Sequence, residues 1–150
     1  MMLSENIDKE IKSAMLSKDQ ARLRGLRAIK AAFLLAKTEK GGASEFDSSA
    51  EIKILQKLVK QRKESAAIYE QQGRKDLYQV EAEEIEVIEG FLPAQLSEAD
   101  VRTVIERVIS GQGGATMKDM GKIMGLANAE LSGKADGKMI SEIVKSTLSS

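Results

Sequence analysis

Apolar residues return every three or four positions along most of this chain, the spacing that gathers them on one face of an α-helix. Leu3, Ile7, Ile11, Ala14 and Met15 form a first such stripe. Asp19 stands where a second helix needs an N-cap, and Leu26, Ile29, Phe33 and Ala36 form its face. Gly41, Gly42, Ser44, Asp47 and Ser48 predict a loop. Ser48 and Glu51 have capping-box spacing, so a third helix is expected to open there and run to about Gln72. Gly73 suits the left-handed position after its end. A fourth helix is expected from near Arg74 to Phe91-Leu92.

Pro93 is the only proline and disfavours helix at Leu92, which predicts a boundary between residues 1–92 and 93–150. Beyond it, Ser97 with Asp100 opens a fifth helix carrying Val101, Val104, Ile105 and Val108, and Gly111 to Gly114 break it. Thr116 with Asp119 opens a sixth, whose stripe is Met117, Met120, Met124, Ala127 and Leu131. Gly133 ends it, and Asp136 can cap a seventh bearing Ile140, Ile143, Val144 and Leu148. No convincing alternating strand run appears. The expected fold class is all-α: an N-terminal bundle of about four helices plus a small three-helix C-terminal domain.

Composition mainly removes chemistry. The 150 residues contain no Cys and no His, which excludes disulfides, thiolate or imidazole metal ligands, cysteine nucleophiles and His-based proton relays. Lys+Arg and Asp+Glu are equal at 23 each, so no bulk charge advertises a polyanionic partner. Charged residues within the first dozen positions exclude an apolar signal-peptide core, and the longest apolar run, Ala31 to Ala36, is far short of the roughly 20 residues a membrane span needs. These observations predict a cytoplasmic chain with no membrane contact. The Gly111-Gln112-Gly113-Gly114 run continues as Ala-Thr and lacks the lysine of a phosphate-binding loop, so it reads as an interhelix turn. No catalytic residue, metal site or cofactor site is expected.

Two patterns depart from plain helical packing. On the third helix, Arg62 falls inside the stripe of Ile52, Leu55, Val59, Ala66 and Tyr69. On the fourth, Glu81 and Glu84 straddle an arc that includes Leu77, Val80, Ile85 and Ile88. Charges placed in a core must be paired, which predicts an ion pair of Arg62 with Glu84, or else Glu81. On the sixth helix, Gly121, Gly125, Asn128 and Ser132 make a small face flanked by Lys118 and Lys122. Each helical glycine costs about 1 kcal/mol against alanine, so two at spacing four predict close approach of another backbone, either a neighbouring helix or an RNA strand. Lys134 and Lys138 surround the start of the seventh helix, where free N–H groups attract anions unless Asp136 occupies them. Lys53, Lys57 and Lys60 share the face of helix three opposite its apolar stripe and read as solvated surface, with Lys60 and Glu64 spaced for an ion pair.

Several segments together resemble the YqeY-like family. They are Leu26-Arg27-Ala28-Ile29-Lys30-Ala31-Ala32, Leu58 to Ser65, Gly73-Arg74-Lys75-Asp76-Leu77, Phe91 to Leu96, Met117 to Lys122 and Gly133 to Lys138. The tail is similar to the C-terminal domain of the B subunit of glutamine-dependent tRNA amidotransferases. The resemblance implies a helical bundle joined to a small helical domain that helps hold tRNA, with tRNA and amidotransferase subunits as partners. It carries no catalytic residues onto this chain. The leading expectation is a non-catalytic docking module, with Lys118, Lys122, Lys134, Lys138, Gly121 and Gly125 as its RNA-binding residues. The alternatives are a carbon–nitrogen ligase using glutamine as amide donor, by family association, and a helical protein–protein interaction module. The oligomeric state is left open.

Overall fold

A computed structural model describes residues 3–39 and 46–149. The helices are α1 (Leu3–Leu16), α2 (Gln20–Thr38), α3 (Ser48–Gln71), α4 (Lys75–Glu89), α5 (Glu98–Gly111), α6 (Met120–Leu131) and α7 (Gly137–Leu148), with a 3-10 turn at Met117–Asp119 before α6. Among the described residues there is no strand, and the fold is all-α. The loop glycines Gly41 and Gly42 and the neighbouring Ser44 lie outside the described residues. The chain forms two compact units, Met1–Leu92 and Pro93–Ser150.

Side-chain chemistry sets the helix ends. Asp19 Oδ1 accepts from the Arg22 N–H at 3.1 Å and starts α2. The Ser48–Glu51 capping box does not form: Asp47 is the N-cap, accepting from Ala50 N–H at 2.9 Å, and Glu51 is used elsewhere. Gly73 ends α3 at φ +69°, while the chain leaves α1 through Lys18 at φ +57°, a conformation that places the Lys Cβ against backbone. Helix α4 stops at Glu89, before Phe91-Leu92, because residues 90–92 tighten into a turn.

The first unit packs α1, α2, the N-terminal half of α3 and the C-terminal end of α4 around Leu23, Leu26, Ile29, Phe33, Leu55, Val59 and Ile88. Helix α1 is anchored by an unusual cap: the buried Glu51 carboxylate on α3 accepts from the N–H groups of Leu3 (3.0 Å) and Ser4 (2.8 Å). Those are amides that no residue within α1 itself can satisfy. Helices α2 and α4 cross where Gly25 meets Val87. No member of this core lies between residues 60 and 84, so the last turns of α3 and the first turns of α4 form a two-helix arm.

The second unit has its own core of Val101, Ile105, Ile123, Ala127, Leu131, Ile140, Ile143 and Val144. The methionine stripe expected to fill it is only partly used: Ile123 is fully buried, Met120 and Met124 are half-buried, and Met117 is 41% exposed. The reason is the 3-10 turn, which the Thr116–Asp119 capping box imposes and which takes Met117 off the line of α6.

Candidate functional site

The arm's root carries the charged residues that interrupt the apolar stripes. Arg62 Nε lies 3.5 Å from Glu84 Oε1, both side chains being more than four-fifths buried, and Arg62 Nη1 donates to the Leu58 carbonyl at 3.1 Å. Glu81 is near this pair without joining it. Its carboxyl is pushed above the usual carboxylate range, first by burial and then by the adjacent Glu84 charge, with Arg62 acting in the opposite sense. Lys63 and Glu89 approach to 3.6 Å further along the same seam.

Among the described residues, two grooves cut into the first unit. One, of about 450 Å³, runs between α1, α3 and the end of α4 and is lined by Leu3, Glu10, Glu51, Leu55 and Phe91. The other runs between Asp19, Arg22, Glu83 and Val87. Four of their carboxylates are already engaged, and Glu86, which also lines the second groove, is not among them. Glu51 caps α1, Glu10 holds Arg22 at 2.9 Å, Asp19 caps α2 and Glu83 holds Arg24 at 2.6 Å. Among the described residues, no group of three or more acidic side chains is placed to hold a metal ion, and no helix is long and apolar enough to cross a membrane.

In the second unit, α6 presents Gly121 and Gly125 outward. A Cβ on either would meet nothing within 4 Å. This corrects the expectation of a close helical neighbour: within the chain no described element covers either glycine. The glycine that a neighbouring helix does require is Gly25, where a Cβ would lie 2.7 Å from Val87 Cγ1. The signal was in the sequence as a glycine inside the α2 pattern, but nothing local separates a covered glycine from an open one. Lys118 and Lys122 are exposed beside the open face, and neither has an ion-pair partner among the described residues.

At the start of α7, Asp136 occupies the N-cap position with no side-chain cap hydrogen bond. Its carboxylate therefore leaves the first amides of α7 to other partners. Lys134 and Lys138 are exposed on either side. The Lys134 carbonyl accepts from Leu96 N–H at 2.9 Å, and the Gly133 carbonyl accepts from the Gln95 side chain at 2.8 Å. These bonds stitch the segment before α5 onto the α6–α7 turn and hold that turn in place. On α3, Lys53, Lys57 and Lys60 are all exposed, and the expected Lys60–Glu64 pair does not form.

Comparison with known proteins follows from residues 4–148, which match the family model described as Yqey-like protein. Three fungal proteins named "Altered inheritance of mitochondria protein 41, mitochondrial" are similar in sequence. The one from Clavispora lusitaniae is 32% identical over 60% of this chain and 51% of its own length. That from Lachancea thermotolerans is 30% identical over 70% of this chain and 57% of its own, and that from Meyerozyma guilliermondii 31% identical over 83% and 70%. The chain thus spans little more than half of the first two relatives. Their mitochondrial names overturn the cytoplasmic expectation. That expectation rested on the absence of an apolar leader and of a membrane span, and neither excludes an organelle reached through amphipathic, basic targeting segments.

Proposed function

The chain belongs to the YqeY-like family, and from that premise we propose that its second unit docks the sugar–phosphate backbone of tRNA as a non-catalytic helper to a glutamine-dependent amidotransferase. The observation that carries this reading is the open glycine face of α6. Two helical glycines cost about 2 kcal/mol together relative to alanine, and no described side chain or helix covers them. An outward face without Cβ atoms lets a foreign backbone approach closely, and Lys118 and Lys122 supply charge beside it. The uncapped start of α7, between Lys134 and Lys138, adds amide donors of the kind that bind phosphate. No aromatic residue lies in residues 93–150, so bases have no stacking platform and recognition rests on shape and backbone.

The test is tRNA binding by the purified protein across a salt series, beside a variant with Lys118, Lys122, Lys134 and Lys138 all changed to Gln. Because the relatives carry mitochondrial names, mitochondrial tRNA is tried alongside total tRNA. Binding should weaken steeply with salt, and the variant's dependence should be shallower, since each lost phosphate contact removes roughly 0.7–0.9 from the log–log slope. Absence of binding at low salt overturns the reading, and glutamine-dependent ammonia release by the pure protein overturns its non-catalytic part.

A further inference from the structure

We infer that the outer face of α3 is a second polyanion-binding surface, a stripe of Lys53, Lys57 and Lys60 that contacts the phosphodiester backbone of RNA. It rests on the RNA reading above but lies on the other compact unit of the chain. The spacing i, i+4, i+7 lines the three ammonium groups along one helix face over about 10 Å. All three are exposed and none has an ion-pair partner among the described residues.

Exposed lysines are common, and what distinguishes these is the way acid has been removed from around them. The carboxylate nearest in sequence, Glu51, is buried and turned inward, where the first two described amides of α1 consume it. Glu64, spaced to neutralise Lys60, does not pair with it. Three acidic residues of α4 are drawn to other cations of the first unit: Glu84 holds Arg62, Glu89 holds Lys63 and Glu83 holds Arg24. A chain with no net charge thus carries a local strip of three lysines that form no ion pair among the described residues, with Glu64 one turn beyond it.

The strip fits a phosphodiester chain better than a lipid surface. Helices that lie on membranes expose an apolar face beside their basic flank. The apolar face of α3 is spent inside the bundle, where Leu55 and Val59 are buried. Over residues 53–60 the lysines are the exposed side chains, the exposed Ile68 lying two turns further along α3, and charge is what a flexible polyanion with a condensed counterion layer rewards.

The experiment compares four full-length proteins in tRNA binding over a potassium chloride series: the unaltered chain, the stripe variant with Lys53→Gln, Lys57→Gln and Lys60→Gln, the four-lysine tail variant, and the combination. Thermal melting checks that the stripe variant folds as the parent does; glutamine keeps helix propensity and most of the side-chain stem. The expected result is a stripe variant whose log–log salt slope is shallower by about 2 to 3, with a further flattening in the combination. An unchanged slope in the stripe variant with a weakened tail variant overturns the stripe and leaves the tail reading standing. A weakened stripe variant with an unchanged tail variant does the reverse. No tRNA binding by the unaltered chain overturns both, and so does binding to anionic phospholipid vesicles with none to tRNA.

Discussion

Gly25 and Lys18 show what one Cβ is worth in this molecule. At Gly25 the α2–α4 crossing leaves no room: a methyl group would stand 2.9 Å from Val87 Cβ as well as 2.7 Å from Cγ1. Gly25→Ala is expected to lose about 1–3 kcal/mol by overpacking, despite alanine's better helix propensity. Urea unfolding measures this, and adding Val87→Ala should recover part of the loss; additivity of the two changes would show that the crossing is not the cause. At Lys18 the backbone is the constraint. The Asp19 N–H reaches back to the Ala14 carbonyl (3.0 Å) and Lys18 N–H to that of Met15 (3.2 Å), a helix ending that needs positive φ at Lys18. Lys18→Gly is expected to stabilise by about 1 kcal/mol, read as a higher melting temperature. Gly73, at the same position after α3, already has that freedom.

Helices α3 and α4 are where charge is used as a structural part. The Arg62–Glu84 pair is buried enough to be screened little and exposed enough to keep some solvent. Arg62→Ala is expected to cost roughly 2 kcal/mol, between the values for exposed and buried pairs, because it strands Glu84 beside Glu81. Arg62→Met should cost less through its retained packing, and unchanged melting in both variants would refute a structural role for the pair. Glu81 makes a prediction of opposite sense. Its folded-state pKa is raised, so its charged form weighs against folding at pH above that raised value. The penalty is relieved as pH falls through the folded value and is gone below the ordinary value of 4.5. Glu81→Gln is therefore expected to be more stable than the parent at neutral pH and to lose that advantage under acid, which thermal melts at several pH values will follow.

At the scale of the whole chain, two cores with no common residue each hold their own unit. Ile105→Ala opens the second core and is expected to cost about 2–5 kcal/mol there. Amide hydrogen exchange should show protection falling in α5, α6 and α7 while α2 and the base of α3 keep theirs. A uniform loss over the chain would mean that the two cores open as one.

Helical periodicity, the N-caps at Asp19 and Ser97, the Thr116–Asp119 box and the glycine after α3 were all legible in the sequence, because each depends on residues within one or two turns of one another. So was the presence of Arg62 and Glu84 on facing stripes, since a charge inside an apolar arc stands out without coordinates. What escaped is long-range. Glu51 has the spacing of a local cap, yet it serves α1, 47 and 48 residues away, while Asp47 caps α3 through Ala50 N–H. Three glycines inside helices look alike in sequence; only the packing shows Gly25 covered and Gly121 and Gly125 open. The lysines of α3 read as ordinary solvated surface until Glu51 is seen to be buried against α1 and Glu64 to leave Lys60 unpaired. Local hydrogen bonding and hydrophobic period are written into neighbouring residues, so the chain alone determined its helices, several of their ends and its all-α class. Which face is covered, and which charge is left without a partner, depends on elements distant in sequence meeting in space, and that was decided only by the tertiary structure.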